Sequence, residues 1–228
     1  MRVLSGFEVV GQLPAFDEAV IREEPNLFGA TAEDVAVHGG PIARCFVDRL
    51  PDAFRERPFR VRSKLQWLKA GWRTGKNFGG YHCDMVGARA DGEQDHAHRS
   101  RPGRHTIGAA VGDVALTRFA VGPLELPDYP LGQRQGLLWH QAIIEACAHG
   151  EVEQVTVPEG AMLRFGEGDF HRTSTAQRTG WRLFIRATHV APDDDFGPDV
   201  IDRWNRITNA YAPTTVTEAA LFAPYATH

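Results

Sequence analysis

From residue 58 onward the chain alternates: Phe59, Val61, Leu65 and Trp67 are apolar, while Arg60, Arg62, Lys64 and Gln66 are polar. A period of two puts the two sets on opposite faces of a half-buried strand. Upstream the period is helical. Ile42, Cys45, Phe46 and Leu50 share one face of a segment that opens on Pro41, which a first turn accepts, and stops before Pro51. Thr31 and Asp34 have the spacing of a capping box. In LLWHQAIIEACAHG, Leu138, Ala142, Ile143 and Ala146 recur at helical spacing, and Gly150 stands at the C′ position.

The remaining segments are short. HTIGAAVGDVALTRFAVGPLEL offers two or three strands broken by glycines, and EVEQVTVPEG, AMLRFGEGDFHR and GWRLFIRATHV offer three more. GWRTGKNFGG reads as turn, ADGEQDHAHRSRPGRH as an exposed loop, and VIDRWNRI and VTEAALFA as short helices in the tail. Short strands with glycine turns predict a mostly β fold of the jelly-roll kind with added helices. Neither GxGxxG nor GxxxxGK[ST] supports a nucleotide-binding βαβ fold.

A chain of 228 residues can bury one sizeable core, which implies a single domain. Net charge is −4 with no basic block, which weighs against a nucleic-acid partner. The locally basic RERPFRVRSK reads as the solvated rim of a strand. No run approaches the ~20 apolar residues of a membrane span, so no membrane partner is expected. Cys45, Cys83 and Cys147 lack CxxC spacing, which points to a reduced, cytoplasmic protein with ordinary thiols.

Candidate chemistry centres on GGYHCDMV. His82 and Asp84 stand two apart on a strand end and leave the same face, whereas Cys83 points into packing. That pair alone reads equally well as a buried hydrogen-bonded His–Asp couple. His171, after a glycine-bearing turn, tips the balance, and the following strand carries Arg182 and Arg186 on one face with Trp181, Leu183 and Ile185 on the other. Two histidines and a carboxylate leave three positions open on Fe(II), and an arginine near by suits a bidentate carboxylate.

His-x-Asp, a histidine 89 residues later and an arginine 11 beyond it resemble the 2-oxoglutarate/Fe(II)-dependent oxygenase superfamily, in its phytanoyl-CoA hydroxylase-like branch. The resemblance spans about residues 58 to 190. It implies a double-stranded β-helix, the cupin-like jelly roll, with helical additions at both ends. His82, Asp84 and His171 would then be the catalytic iron ligands, and Arg182 would take the distal carboxylate of 2-oxoglutarate. The implied reaction decarboxylates 2-oxoglutarate to succinate and uses O₂ to hydroxylate an unactivated C–H of a small molecule. Asp84 stands where halogenating relatives carry a small residue, which argues against halogenation. The Arg-x-Ser of some relatives is absent, since the chain reads Arg182-Leu183-Phe184. A further contact to 2-oxoglutarate must come from elsewhere, with Lys64 and Thr173, then Thr117 and Lys69, as candidates. The local arginines favour an anionic or carrier-bound substrate, with Arg186 as a rival to Arg182 or as a contact for a substrate anion or a surface carboxylate.

Two rivals stand beside this reading: a cupin-like metal enzyme that does not use 2-oxoglutarate, and a non-catalytic jelly-roll binding module. Trp67 and Trp72 fit either a pocket wall or core plugs, and Phe170 is expected to pack opposite the metal face. His96 and His98, with His105, lack the following glutamate of a cupin site. They read instead as part of a lid that could bring His98 or Arg99 to a substrate.

Overall fold

In the computed structural model, which describes residues 2–72, 80–84, 105–127, 135–166 and 168–190, two antiparallel sheets carry the chain. The larger runs β2 (Glu8–Gln12), β8 (Ala161–Phe165), β5 (Thr106–Val111), β10 (Gly180–His189), β4 (Phe59–Leu68), β3 (Phe28–Ala30). The smaller places β6 (Thr117–Glu125) between β1 (Arg2–Ser5) and β7 (Glu153–Thr156), and β9 (His171–Thr173) pairs with β6 beyond the end of β1. The arrangement is jelly-roll-like and, among the described residues, does not close into a barrel.

The alternation along β4 sets the layers. Val61 and Leu65, with Leu183, Ile185 and Ala187 of β10, bury against a layer of four helices: α1 (Glu18–Arg22), α2 (Ala32–His38), α3 (Pro41–Asp48) and α4 (Asp52–Arg55). Ser63 interrupts the apolar face for a reason. Its hydroxyl accepts from the Leu27 N–H at 2.8 Å and donates to the Pro25 carbonyl at 2.9 Å, tying the incoming chain to the sheet. The other face of the larger sheet carries the polar set, running from exposed Arg62 to buried Gln66 and Arg182. Lys64, Gln66, Arg182 and Arg186 line a cavity opposite β6 and β9.

The helices start as their sequence predicts. Thr31 and Asp34 form the capping box of α2, each side chain accepting the other's backbone N–H, at 3.1 and 2.8 Å. Pro41 opens α3, whose cap residue Gly40 has no side chain to offer. Glu24 substitutes, fully buried, accepting from the Ile42 and Ala43 N–H groups at 3.1 and 2.8 Å. Burial raises the pKa of Glu24, and those N–H bonds, with Arg44 and Gly40, pull part of the way back.

Helix α5 (Gln135–Ala148) forms where the spacing places it, but its deepest residues are Trp139 and Ile143, with Leu138 only half-buried. An indole is tolerated there because its Nε1–H reaches the Pro127 carbonyl at 2.7 Å. The same cluster takes in Cys83 and Phe170, both on the side away from the metal candidates, as expected. The N-terminal strands β1 and β2 were not predicted, and their pairing with β6 and β8 is a finding of the structure. Residues 73–79 of the predicted turn, the His96–His98 loop and both tail helices lie outside the described residues. Among the described residues no helix is long and apolar enough to cross a membrane.

Candidate metal centre

His171 opens β9 rather than closing a strand, and its register opposite Phe119 of β6 fixes its side. Residues 80–84 form no strand of their own. They make one rung with β9, in which the His82 N–H bonds the His171 carbonyl and the His171 N–H bonds the His82 carbonyl, both at 3.0 Å. The rung sets the two imidazoles side by side, ring centroids 4.8 Å apart. Phe119 and Phe165 pack on the His171 ring at 5.2 and 5.0 Å and hold it in place.

Each imidazole is oriented the same way. Nδ1 of His82 bonds the Gly80 carbonyl at 2.9 Å, and Nδ1 of His171 bonds the Asp169 carbonyl at 3.0 Å. A carbonyl only accepts, so Nδ1 carries the hydrogen and Nε2 keeps its lone pair for the space between the rings. His82 is exposed overall, but desolvation where its ring meets the protein, and then the neighbouring His171, lower its pKa, which favours the neutral ligand form. One donor atom from each of His82, Asp84 and His171 lies within 4.8 Å of the others. His171 Nε2 stands 3.5 Å from Asp84 Oδ2, longer than an N–H···O bond. A closed His–Asp couple would be tighter; three donors facing a common point suit a divalent first-row metal.

Asp84 is mostly buried and ion-paired to Arg186. Burial opposes its ionisation, but the Arg186 guanidinium foremost outweighs burial and holds the carboxyl well below its ordinary range. Arg182, four residues back on the same face of β10, is 2% exposed and meets no carboxylate among the described residues. Its Nε donates to the Ala115 carbonyl at 2.6 Å and its Nη1 to Gln66 Oε1 at 3.1 Å. Burial lowers its pKa to about 10, so it stays cationic at neutral pH. Because a guanidinium only donates, the Gln66 amide must present its oxygen to Arg182, which leaves its Nε2 buried with no partner.

A cavity of about 270 Å³ between the sheets joins these groups. The sequence-predicted Lys64, Thr117 and Thr173 line it together with His82, Asp84, His171 and Arg182. Lys69 does not: its ammonium sits over the rings of Trp67 and Trp72, at 6.0 and 5.1 Å. Those two tryptophans meet edge to face at 6.5 Å and are not among the residues lining the cavity. Sequence reasoning missed three features: Gln66 as the partner of Arg182, Arg172 in the wall, and the pairing of Arg186 with Asp84. Only Gln66 had a signal. It shares the polar face of β4 with the basic residues, and that face read as a solvated rim.

No family model matches the chain, and no curated protein matches it. Among solved structures, the chain is similar to the apo form of the non-heme monooxygenase ThoJ, at 12% identity and a TM-score of 0.35, with 77% of each chain covered. It is similar also to the non-heme alpha-ketoglutarate-dependent carbocyclase SnoK from nogalamycin biosynthesis, at 12% identity and a TM-score of 0.35, over 84% of this chain and 73% of that one. Overlaps of that size carry no weight for family, substrate or reaction, and the chemistry below is drawn from this chain's own side chains.

Proposed function

We propose that the chain is an Fe(II)- and 2-oxoglutarate-dependent oxygenase that hydroxylates a small molecule, on a jelly roll of the double-stranded β-helix kind. One observation carries the reading. Two imidazoles and an ionised carboxylate converge in a cavity that also holds a buried arginine with no counter-ion among the described residues. An isolated buried cation is costly to keep, and a ligand carboxylate would relieve that cost.

Bound Fe(II) supplies the O₂ chemistry, coupling decarboxylation of 2-oxoglutarate to C–H hydroxylation. The protein's part is to position. His82 and His171 offer Nε2 because their Nδ1–H groups are held by Gly80 and Asp169. Asp84 offers one oxygen while Arg186 steadies the carboxylate. With its Nε on Ala115 and one Nη1 hydrogen on Gln66, Arg182 keeps its end-on fork for the distal carboxylate of 2-oxoglutarate. Lys64, Thr173 and the Gln66 amide, which line the same cavity, would serve as further donors to the co-substrate.

The test is anaerobic titration of metal-free protein with Fe(II) and then 2-oxoglutarate, followed by the weak visible charge-transfer band of a chelated 2-oxo acid. The parent protein is expected to show the band and His82→Ala to lose it. Arg182→Ala should need about a hundredfold more 2-oxoglutarate. Iron binding with no band at any 2-oxoglutarate concentration would favour a metal enzyme of another kind. Failure to bind iron at all would return the trio to a structural role.

A further inference from the structure

The cavity holds more positive charge than the proposed chemistry consumes. Arg62, Lys64, Arg172, Arg182 and Arg186 line it, against Asp84 as the single carboxylate among the described lining residues. Fe(II) and the dianion of 2-oxoglutarate cancel each other's charge, so loading both leaves the Arg62 charge as it stands. Most of it lies away from Arg182. In the register of β4 and β10, Gln66 stands opposite Arg182, but Arg62 stands opposite Arg186. Like charges directly across a strand pair repel. Among the described residues the one carboxylate near them, Asp84, pairs with Arg186 and belongs to the proposed metal site.

Arg62 itself has no hydrogen bond or ion pair among the described residues. Its guanidinium lies over the Phe28 ring at 4.4 Å, which aims it without neutralising it. The side chain is exposed, yet the protein around it desolvates it in part, and that effect and then Arg186 lower its pKa, with Asp84 pulling the other way. The two cationic places are separate. Arg182 is tied inward to Ala115 and Gln66, and Arg186 is tied to Asp84 about 13 Å further along the strand at ordinary strand rise.

We infer that the Arg62–Arg186 pair is a second anion seat, which receives a carboxylate, sulfonate or phosphate of the substrate and so makes this an enzyme of oxyanion-bearing small molecules. The assignment rests on the oxygenase reading above. An oxyanion bridging the two guanidinium groups relieves the cross-strand repulsion and docks the substrate beside Asp84, hence beside the metal. Cationic Arg186 then faces both Asp84 and the substrate anion, and Arg62 faces the substrate alone. Arg62 therefore discriminates between substrates without touching 2-oxoglutarate.

The experiment is equilibrium dialysis at low ionic strength with radiolabelled sulfate, on protein holding redox-inert Zn(II) and saturating 2-oxoglutarate. Parallel dialysis with labelled 2-oxoglutarate reports the inner seat, and thermal melts report folding. One saturable sulfate site is expected, weakened at least about tenfold by Arg62→Gln and partly restored in Arg62→Lys. The 2-oxoglutarate affinity of both variants should stay within about twofold of the parent's, and Arg182→Gln should show the reverse selectivity. Sulfate that fails to saturate, competes with 2-oxoglutarate, or binds Arg62→Gln as it binds the parent overturns the second seat. Loss of 2-oxoglutarate binding in the parent overturns the oxygenase reading instead, so the two failures are told apart.

Discussion

A buried arginine that keeps its charge while meeting no carboxylate among the described residues is a device held open for something. In Arg182 the fork is held by a neutral partner, Gln66, where a glutamate would have been the stabilising choice. Gln66→Glu therefore supplies an internal anion at the place of the co-substrate's own. The expected outcome is a split: thermal stability unchanged or raised, with the dissociation constant for 2-oxoglutarate up by about a hundredfold. Calorimetric titration and a melting curve on the same sample check it, and an affinity equal to the parent's would remove Gln66 from the anion site. Residues of this kind are hard to see in a sequence. His82, Asp84, His171 and Arg182 could be singled out because their types and spacing resemble the pattern of an oxygenase superfamily. Gln66 and the Arg186–Asp84 contact depend on which strand lies beside which, and a one-dimensional pattern does not carry that.

Among the elements, α3 has the least ordinary beginning. Its N-terminal N–H groups are served by Glu24, eighteen positions upstream, because Gly40 leaves the space a side chain would fill. A Cβ at position 40 would run into the Glu24 carboxylate, so Gly40→Ala should cost about 1–3 kcal/mol by denaturant unfolding. Glu24 has a folded pKa above its ordinary value, so its contribution to stability is greatest below the unfolded pKa of about 4.3 and declines as pH rises through the folded pKa. Glu24→Gln titrates nothing there. The difference in melting temperature between the parent and Glu24→Gln should shift in favour of the variant as pH is raised from about 4, and a difference that does not move with pH would contradict the assignment. The alternation of β4, the face of β10, the capping box and the start of α3 were legible because local pattern alone decides them. The strands β1 and β2 were not: they are short, β1 exposes Leu4 while burying Ser5, β2 buries no residue fully, and distant partners, β6 and β8, make them strands.

Those N-terminal strands matter to the molecule as a whole because they brace the segment that delivers His171. Ser5 Oγ accepts the Phe170 N–H at 2.8 Å, and Asp169 accepts the Gly6 N–H at 2.7 Å and the Gly166 N–H at 2.6 Å, while its own carbonyl orients the His171 ring. Asp169→Asn can serve only one of those two donors and should destabilise the protein by about 1–3 kcal/mol. Its Zn(II) affinity should fall as well, although His82, Asp84 and His171 are all intact. Unchanged zinc binding in a destabilised Asp169→Asn would show that the corner supports the fold alone.

The single rung between His82 and His171 also bears on how a metal would be taken up. Two of the three teeth of this claw are fastened to each other through the main chain, and the third stands two residues from one of them. Such a grip is set before any metal arrives: the main chain fixes the spacing of the two histidines, so loading would cost side-chain freedom and little backbone order.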